Sequence, residues 1–116
     1  MREIKFRAWD AYRKRIYEVI EINWLGESIK VYADFAGYGY TNMKSAILMQ
    51  YTGLHDEGGK EIYEGDIVYL AGYGDYEVEW PFMQLYESSW ENDIGEIKGN
   101  IYENPELLEL GPTHDQ

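Results

Sequence analysis

The chain has 116 residues, no cysteine, 45% apolar residues and a formal net charge of −12. Such a length sets one domain as the default and hides about two-thirds of the unfolded surface, and this apolar content argues against disorder. Without thiols there is neither a disulfide nor a thiolate metal site, no apolar run approaches the ~18 residues of a membrane span, and MREIKFRAWD at the start lacks the apolar segment of a signal peptide.

Residues 3–9 alternate, with Ile4, Phe6 and Ala8 against Glu3, Lys5 and Arg7, which predicts a half-buried strand. Asp10 to Lys14 read as a turn, and residues 15–23, RIYEVIEIN, as a second strand antiparallel to the first. Its period is mixed: Ile16, Ile20 and Ile22 share one face and Tyr17 and Val19 the other, so both faces are expected to be partly covered. Gly26 begins a turn, and residues 28–33 alternate again, with Ile29, Val31 and Ala33 against Lys30 and Tyr32. Residues 34–42, DFAGYGYTN, read as a glycine and tyrosine loop, and Met43 to Ala46 as a single helical turn capped by Thr41 or Asn42.

The next apolar run, Ile47, Leu48, Met49 and Tyr51, stops at Thr52-Gly53. Asp56-Glu57-Gly58-Gly59-Lys60 supplies the φ > 0 conformations of a hairpin turn, and Glu64-Gly65-Asp66 is a second sharp turn before the β-branched and aromatic run Ile67 to Leu70. Residues 71–76, AGYGDY, echo AGYGY at 36–40, but the flanks differ, so the echo reads as loop composition and not as a repeat. Tyr76 to Trp80 alternates as a strand that Pro81 ends, while residues 82–90, FMQLYESSW, fit helix or strand. Residues 96–102 read as a final strand bent at Gly99. Asn104-Pro105 then starts a short helical turn, docked by Leu107, Leu108 and Leu110 ahead of a frayed tail after Gly111.

Four stretches, MREIKFRAWD at 1–10, LMQYTGLHDEGGKEIYEGDIV at 48–68, YEVEW at 76–80 and GNIYENPELL at 99–108, resemble the YopX family of small phage and prophage proteins. The resemblance covers both ends and the middle, and residues 24–46 and 81–95 read as variable inserts. It implies a β-rich fold, a phage or prophage source (hence the cytoplasm of a bacterial host) and a homo-oligomer; it implies no catalytic residues. Turn signals every ~8–12 residues point the same way, as do twelve tyrosines and four tryptophans. The expected fold class is therefore mainly β: a small YopX-like barrel or sandwich of short antiparallel strands with one or two short helical turns. Residues 1–116 are expected to form one domain, with room for two sub-lobes at about 1–46 and 47–110.

Charge is unevenly placed. Residues 1–50 hold eight Lys/Arg against six Asp/Glu, and residues 51–116 hold two against sixteen. The acidic half disfavours contact with a phosphate backbone, and its simplest role is solubility; imitation of nucleic acid toward a basic partner is the sharper reading. His55-Asp56 reads as a solvated turn pair and not a metal site, since the other histidine, His114, lies in the tail. Glu57, Glu61, Glu64 and Asp66 crowd one segment, but the flanking glycines point to an exposed hairpin and not to an acid–base pair. The chain carries no GxSxG and no P-loop, and Gly37-Tyr38-Gly39-Tyr40 lacks the βαβ context of a phosphate cradle. Arg13, Lys14 and Arg15 sit on the first hairpin turn beside Tyr12 and Tyr17. They read first as a solvated turn, then as a patch for single-stranded nucleic acid or a dock for the acidic half of a neighbouring subunit.

Candidates for a contact surface are Trp24, Tyr38, Tyr40, Tyr73 and Trp90, all in or beside loops, about half of them expected to be buried within the monomer. The expected function is non-enzymatic, through binding of other proteins or self-assembly, with no catalytic residue, cofactor or metal, and with neither nucleic acid nor membrane as the expected partner. The alternatives are an acidic DNA mimic that blocks a basic nucleic-acid-binding protein, and a small barrel that itself binds nucleic acid.

Overall fold

The computed structural model describes residues 3–79 and 94–109. Nine strands and one four-residue helix lie among them, and every strand pairing is antiparallel. The fold is mainly β, as expected, but its strands form open sheets and not a closed barrel. The chain divides into two compact units, residues 4–50 and residues 1–3 with 51–116.

In the first unit the strand order is β4-β3-β2-β1-β5, from β1 (Phe6–Asp10), β2 (Arg15–Asn23), β3 (Ser28–Ala33), β4 (Gly37–Asn42) and the opening residues of β5 (Ala46–His55). β2 and β3 have the bounds expected from the sequence. The mixed period of β2 has a simple cause: pairing runs Val19↔Val31 and then Glu21↔Lys30, so two steps on β2 match one on β3. That bulge resets which face points inward. Tyr17 before it and Ile22 after it, opposite Ile29, thus both turn toward the core, and Ile20 is left largely exposed.

The segment 34–42 is not a loop throughout. A three-residue turn at 34–36 leads into β4, which pairs with β3 from Ala33↔Gly37 to Ser28↔Asn42. The Gly-Tyr-Gly-Tyr pattern is itself a period of two: both tyrosines fall on one face, and both glycines on the other. Gly37 adopts φ +77 on leaving the turn, a conformation open to glycine at little cost. Residues 43–45 form a turn and not a helical turn; Asn42 caps it as expected, its Oδ1 accepting from the N–H groups of Lys44 and Ser45 at 2.8 and 3.0 Å.

That turn forces the sheet to curl. β4 and β5 lie at opposite ends of a five-strand row, yet three residues join them. Asp10 on β1 and Thr41 on β4 are three strands apart, ~14 Å in a flat sheet, but their side chains meet at 3.0 Å. The inner face of the curl holds Ala8, Tyr17, Ile29, Val31 and Ala46. β4 and β5 do not pair, so the curled sheet keeps an open seam.

In the second unit, β5 continues beyond Thr52-Gly53 to His55, with a register shift between Tyr51 and His55. Gly53, at φ 90, is thus part of a strand irregularity and not the end of the strand. Thr52 Oγ1 holds that kink by donating to the Ile62 carbonyl at 2.8 Å and accepting from the Leu54 N–H at 3.0 Å. β5 pairs with β6 (Glu61–Tyr63) through the expected turn at Asp56–Lys60. A separate sheet has the order β8-β7-β9, from β7 (Asp66–Leu70), β8 (Gly74–Glu77) and β9 (Ile94–Asn100). Ile62, Val68, Leu70, Val78 and Ile94 form its core. A short helix, α1 (Glu106–Glu109), follows. Asn104 does not cap it through its side chain; its Oδ1 turns back to accept from the Asn100 N–H at 3.2 Å. The strand expected at 76–80 is shifted: β8 starts at Gly74 and ends at Glu77, and Val78 and Glu79 follow it outside any strand. Trp80 and the segment 82–90 lie outside the described residues.

Candidate functional site

The site is built on the β4 side of the first unit, and Asp10 sets it up. Its carboxylate is fully buried, at 0% exposure, at the end of β1. Oδ1 accepts from the N–H groups of Tyr12 and Arg13 at 2.9 and 3.0 Å, the usual way an Asp closes a turn. Oδ2 accepts from Arg13 Nη1 at 2.7 Å and from the Thr41 hydroxyl at 3.0 Å. Burial by itself would raise this carboxyl, but the bonds from Arg13, Thr41 and Tyr12 outweigh it and hold Asp10 below the usual carboxylate range. One side chain therefore closes the β1–β2 turn, locks β1 to β4 and fixes the direction of Arg13.

Arg13 lies between two cavities. One, of about 520 Å³, is lined by Asp10, Tyr12, Ser28, Tyr40 and Asn42 among others. The other, of about 180 Å³, runs past Tyr17, Val31, Gly37 and Gly39 on the inner face. Gly39 helps to make that space, since a Cβ built there meets no atom within 4 Å.

On the other face of β4, Tyr38 and Tyr40 are 66% and 64% exposed. Tyr38 packs on Tyr32 with ring centroids 5.0 Å apart, and the Lys30 ammonium lies 5.2 Å from its ring centre. Phe35, in the turn before β4, carries the Arg15 guanidinium 4.6 Å above its ring. Such cation–π contacts hold flexible cations over aromatic faces. The basic cluster at 13–15 is exposed, as expected of a solvated turn, but Arg13 and Arg15 are also engaged, and Lys14 occupies a left-handed conformation at φ 59.

β4 is also a sheet edge. The Met43 N–H donates to the Glu27 carbonyl at 3.0 Å, which makes that pair a hydrogen-bonded one. Antiparallel pairs alternate, so Thr41 and Gly39 bond to β3, and the backbone groups of Tyr38 and Tyr40 point away from it. The result is an aromatic strand edge flanked by cations.

Of the five aromatic candidates, Tyr38 and Tyr40 come together on β4. Trp24 is 67% exposed in the turn between β2 and β3, beside the fully exposed Leu25, at the Asn42 end of the hairpin. Tyr73 is 70% exposed in the turn between β7 and β8, in the second unit. Trp90 lies outside the described residues. All four described candidates are exposed, where about half were expected inside. Sequence reasoning passed over Phe35, Lys30 and Asp10. The alternation of residues 28–33 and of GYGY carried the signal for Lys30 and the turn-closing habit of Asp carried it for Asp10, while Phe35, in the turn between the two stretches, had none.

The acidic segment of the second unit is less exposed than expected. Asp66 is buried, and its Oδ2 accepts from the Tyr63 N–H at 2.8 Å. Asp56 is a structural hub: it accepts from the N–H groups of Gly58 and Lys60, each at 2.9 Å, and from the Ile97 N–H at 3.1 Å, tying the hairpin turn to β9. Burial would raise its carboxyl, but the bonds from Lys60, Ile97 and Gly58 and the Lys60 charge bring it down. His55 is exposed, with Nε2 3.2 Å from the Tyr51 hydroxyl. Among the described residues no three His, Asp or Glu side chains gather as a metal site requires. No helix among them is long and apolar enough to cross a membrane.

The crystal structure of protein EF1440 from Enterococcus faecalis is similar to this chain at 29% identity and a TM-score of 0.60, over 93% of this chain and 99% of that one. No curated protein matches the chain. The YopX protein family matches residues 5–80, well over half of the sequence and the span from β1 to β8. The chain belongs to the YopX family.

Proposed function

We propose that the protein acts by binding other protein chains, not by catalysis, and that the edge of β4 is where it binds. The observation that carries this reading is the conjunction at Tyr38 and Tyr40: exposed rings on one face, outward backbone groups along the edge, and Lys30 beside them. Strand addition to such an edge gains affinity from main-chain hydrogen bonds and specificity from alternate side chains. Tyrosine is among the residues that most often anchor interfaces. A phage or prophage role in the cytoplasm of a bacterial host goes with this reading, on the strength of the family resemblance. The test is capture of partners by the tagged protein and by a Tyr38→Ala/Tyr40→Ala variant. The wild type retains a protein partner, its own subunits included, and the variant loses it; equal capture by both, or none by either, overturns the proposal.

A second reading draws on the acidic unit. Burial first, and the Glu79 charge second, raises the Glu77 carboxyl above its usual value; burial likewise raises the Tyr76 phenol, with Glu79 and Glu77 near it, and the Tyr102 phenol, with Glu64 and Glu77 near it. With sixteen Asp/Glu against two Lys/Arg in residues 51–116, this half suits an acidic surface that occupies the site of nucleic acid on a basic protein. That reading expects capture of a nucleic-acid-binding protein that salt weakens and added DNA displaces; capture indifferent to both rules it out.

A further inference from the structure

We propose that the occupant of the β4 edge is a second copy of this chain, paired β4 to β4 in antiparallel fashion about a two-fold axis at Gly39. The proposal rests on the reading of β4 as a binding edge and names its partner. The backbone groups of Tyr38 and Tyr40 point outward, with Gly39 between them bonded to its own β3. A two-fold axis at Gly39 sets Tyr38 against Tyr40 of the partner subunit and Tyr40 against Tyr38 of the partner subunit. Both are then hydrogen-bonded pairs, each donating and accepting with its opposite. The pattern satisfies itself without any other sequence, as an isologous contact must.

Side chains agree with this register. The tyrosines of the two copies meet as cross-strand aromatic pairs on one face of the continued sheet. On the other face Gly39 meets Gly39 of the partner subunit in a non-hydrogen-bonded pair, where Cα atoms approach to ~4.5 Å. Glycine is suited to such a close approach, and nothing within 4 Å of its Cβ direction obstructs it. Charge also favours this unit: self-contact through residues 51–116 sets two strongly acidic halves together, sixteen Asp/Glu against two Lys/Arg in each, whereas residues 1–50 are nearly balanced.

The contact area sets the strength. Tyr38 and Tyr40 leave 66% and 64% of their surface free. With ~150–250 Å² available from a Tyr, the four rings of a pair offer on the order of 500 Å², against the ~1,000 Å² expected of a specific interface. The paired backbone and Tyr12, which shares a cavity with Tyr40, add the remainder. The dimer is therefore a weak one, dissociating on dilution.

The test uses the absence of native cysteine. Gly39→Cys places a single thiol at the axis, with no positive φ and no steric obstacle, and the ~4.5 Å Cα separation lies within disulfide range. Under mild oxidation with oxidised glutathione this variant forms a covalent dimer, while a Lys44→Cys control, off the axis, stays largely monomeric. Sedimentation equilibrium of the wild type from about 5 to 500 μM shows monomer giving way to dimer, as expected of a contact at the low end of interface sizes. Tyr40→Pro removes an outward N–H that no bond among the described residues uses, so it abolishes the dimer while far-UV circular dichroism is retained. A wild type that remains monomeric throughout, with no Gly39→Cys cross-link, overturns the dimer; if that monomer still loses a captured protein on Tyr38→Ala/Tyr40→Ala, β4 binds a different chain, and the proposed function survives. A dimer unaffected by Tyr40→Pro overturns the register and the site together.

Discussion

Asp10→Asn is the substitution from which the curled sheet predicts most. The amide is nearly the same size, and its oxygen can still accept from the Tyr12 and Arg13 N–H groups that close the turn. What it loses is the second anionic oxygen, which binds Arg13 Nη1 at 2.7 Å and the Thr41 hydroxyl at 3.0 Å. Hydrogen bonds to a charged group contribute ~1.5–3 kcal/mol each. Two such bonds set an upper bound, and two details reduce it: the Arg13 side chain is 52% exposed and regains water, and the Thr41 hydroxyl can rotate to accept from the new amide. The expected loss is about 2 kcal/mol. Urea unfolding followed by tryptophan fluorescence and by circular dichroism reads it as a fall in midpoint on the order of 1 M, given a slope of ~1–3 kcal/mol/M for a chain of this size.

The same substitution has a pH signature. Folding lowers the Asp10 pKa below its ordinary value of 3.8. A lowered carboxyl stabilises the folded state fully above the unfolded value, and that stability is lost as pH falls through the lower folded value. The gap between wild type and Asp10→Asn is therefore constant from neutral pH down to about 5 and closes below about 4. Asp56 titrates in both proteins, so the difference isolates Asp10. A midpoint shift below about 0.3 M at neutral pH, or a gap that does not narrow in acid, refutes the role given to Asp10.

Ile29→Ala, at a fully buried position in the first unit, lowers unfolding free energy by ~2–5 kcal/mol in the same urea assay. Gly99→Ala sets a methyl group against the Asn104 side chain, which holds the Asn100 N–H, and lowers stability by ~1–3 kcal/mol; an unchanged midpoint would mean that Asn104 gives way freely. Tyr40→Ala removes a ring that is 64% exposed and changes stability by less than about 1 kcal/mol, so any loss of binding in that variant is a loss of contact and not of fold.

How far the sequence disclosed this molecule depended on what its alternation recorded. β2 and β3 were legible to the residue, because β3 alternates strictly and β2 is a β-branched run bounded by turn signals on both sides. β4 was not, because glycines on the inner face left nothing apolar to count and GYGY resembled loop composition. β5 outran its apparent end because Gly53 kinks the strand instead of stopping it. The aromatic residues themselves could be picked out, but not their grouping, since Tyr38 meets Lys30 and Tyr32 only through the β3–β4 register. Asp10 shows the same limit: an Asp before a turn is readable as a cap, whereas its bond to Thr41 depends on a curl that only the three-residue link between β4 and β5 imposes.

The function proposed for this YopX protein stands or falls with the aromatic edge of β4. Its most direct test is quantitative capture by the tagged wild type and by Tyr38→Ala/Tyr40→Ala, side by side at low and high salt, with mass spectrometry of what is retained. The expected result is a protein partner, the chain itself included, that persists at high salt on the wild type and disappears from a variant whose circular dichroism shows it folded. Retention of the same partners by the variant, or capture that salt and DNA abolish equally in both proteins, would contradict it.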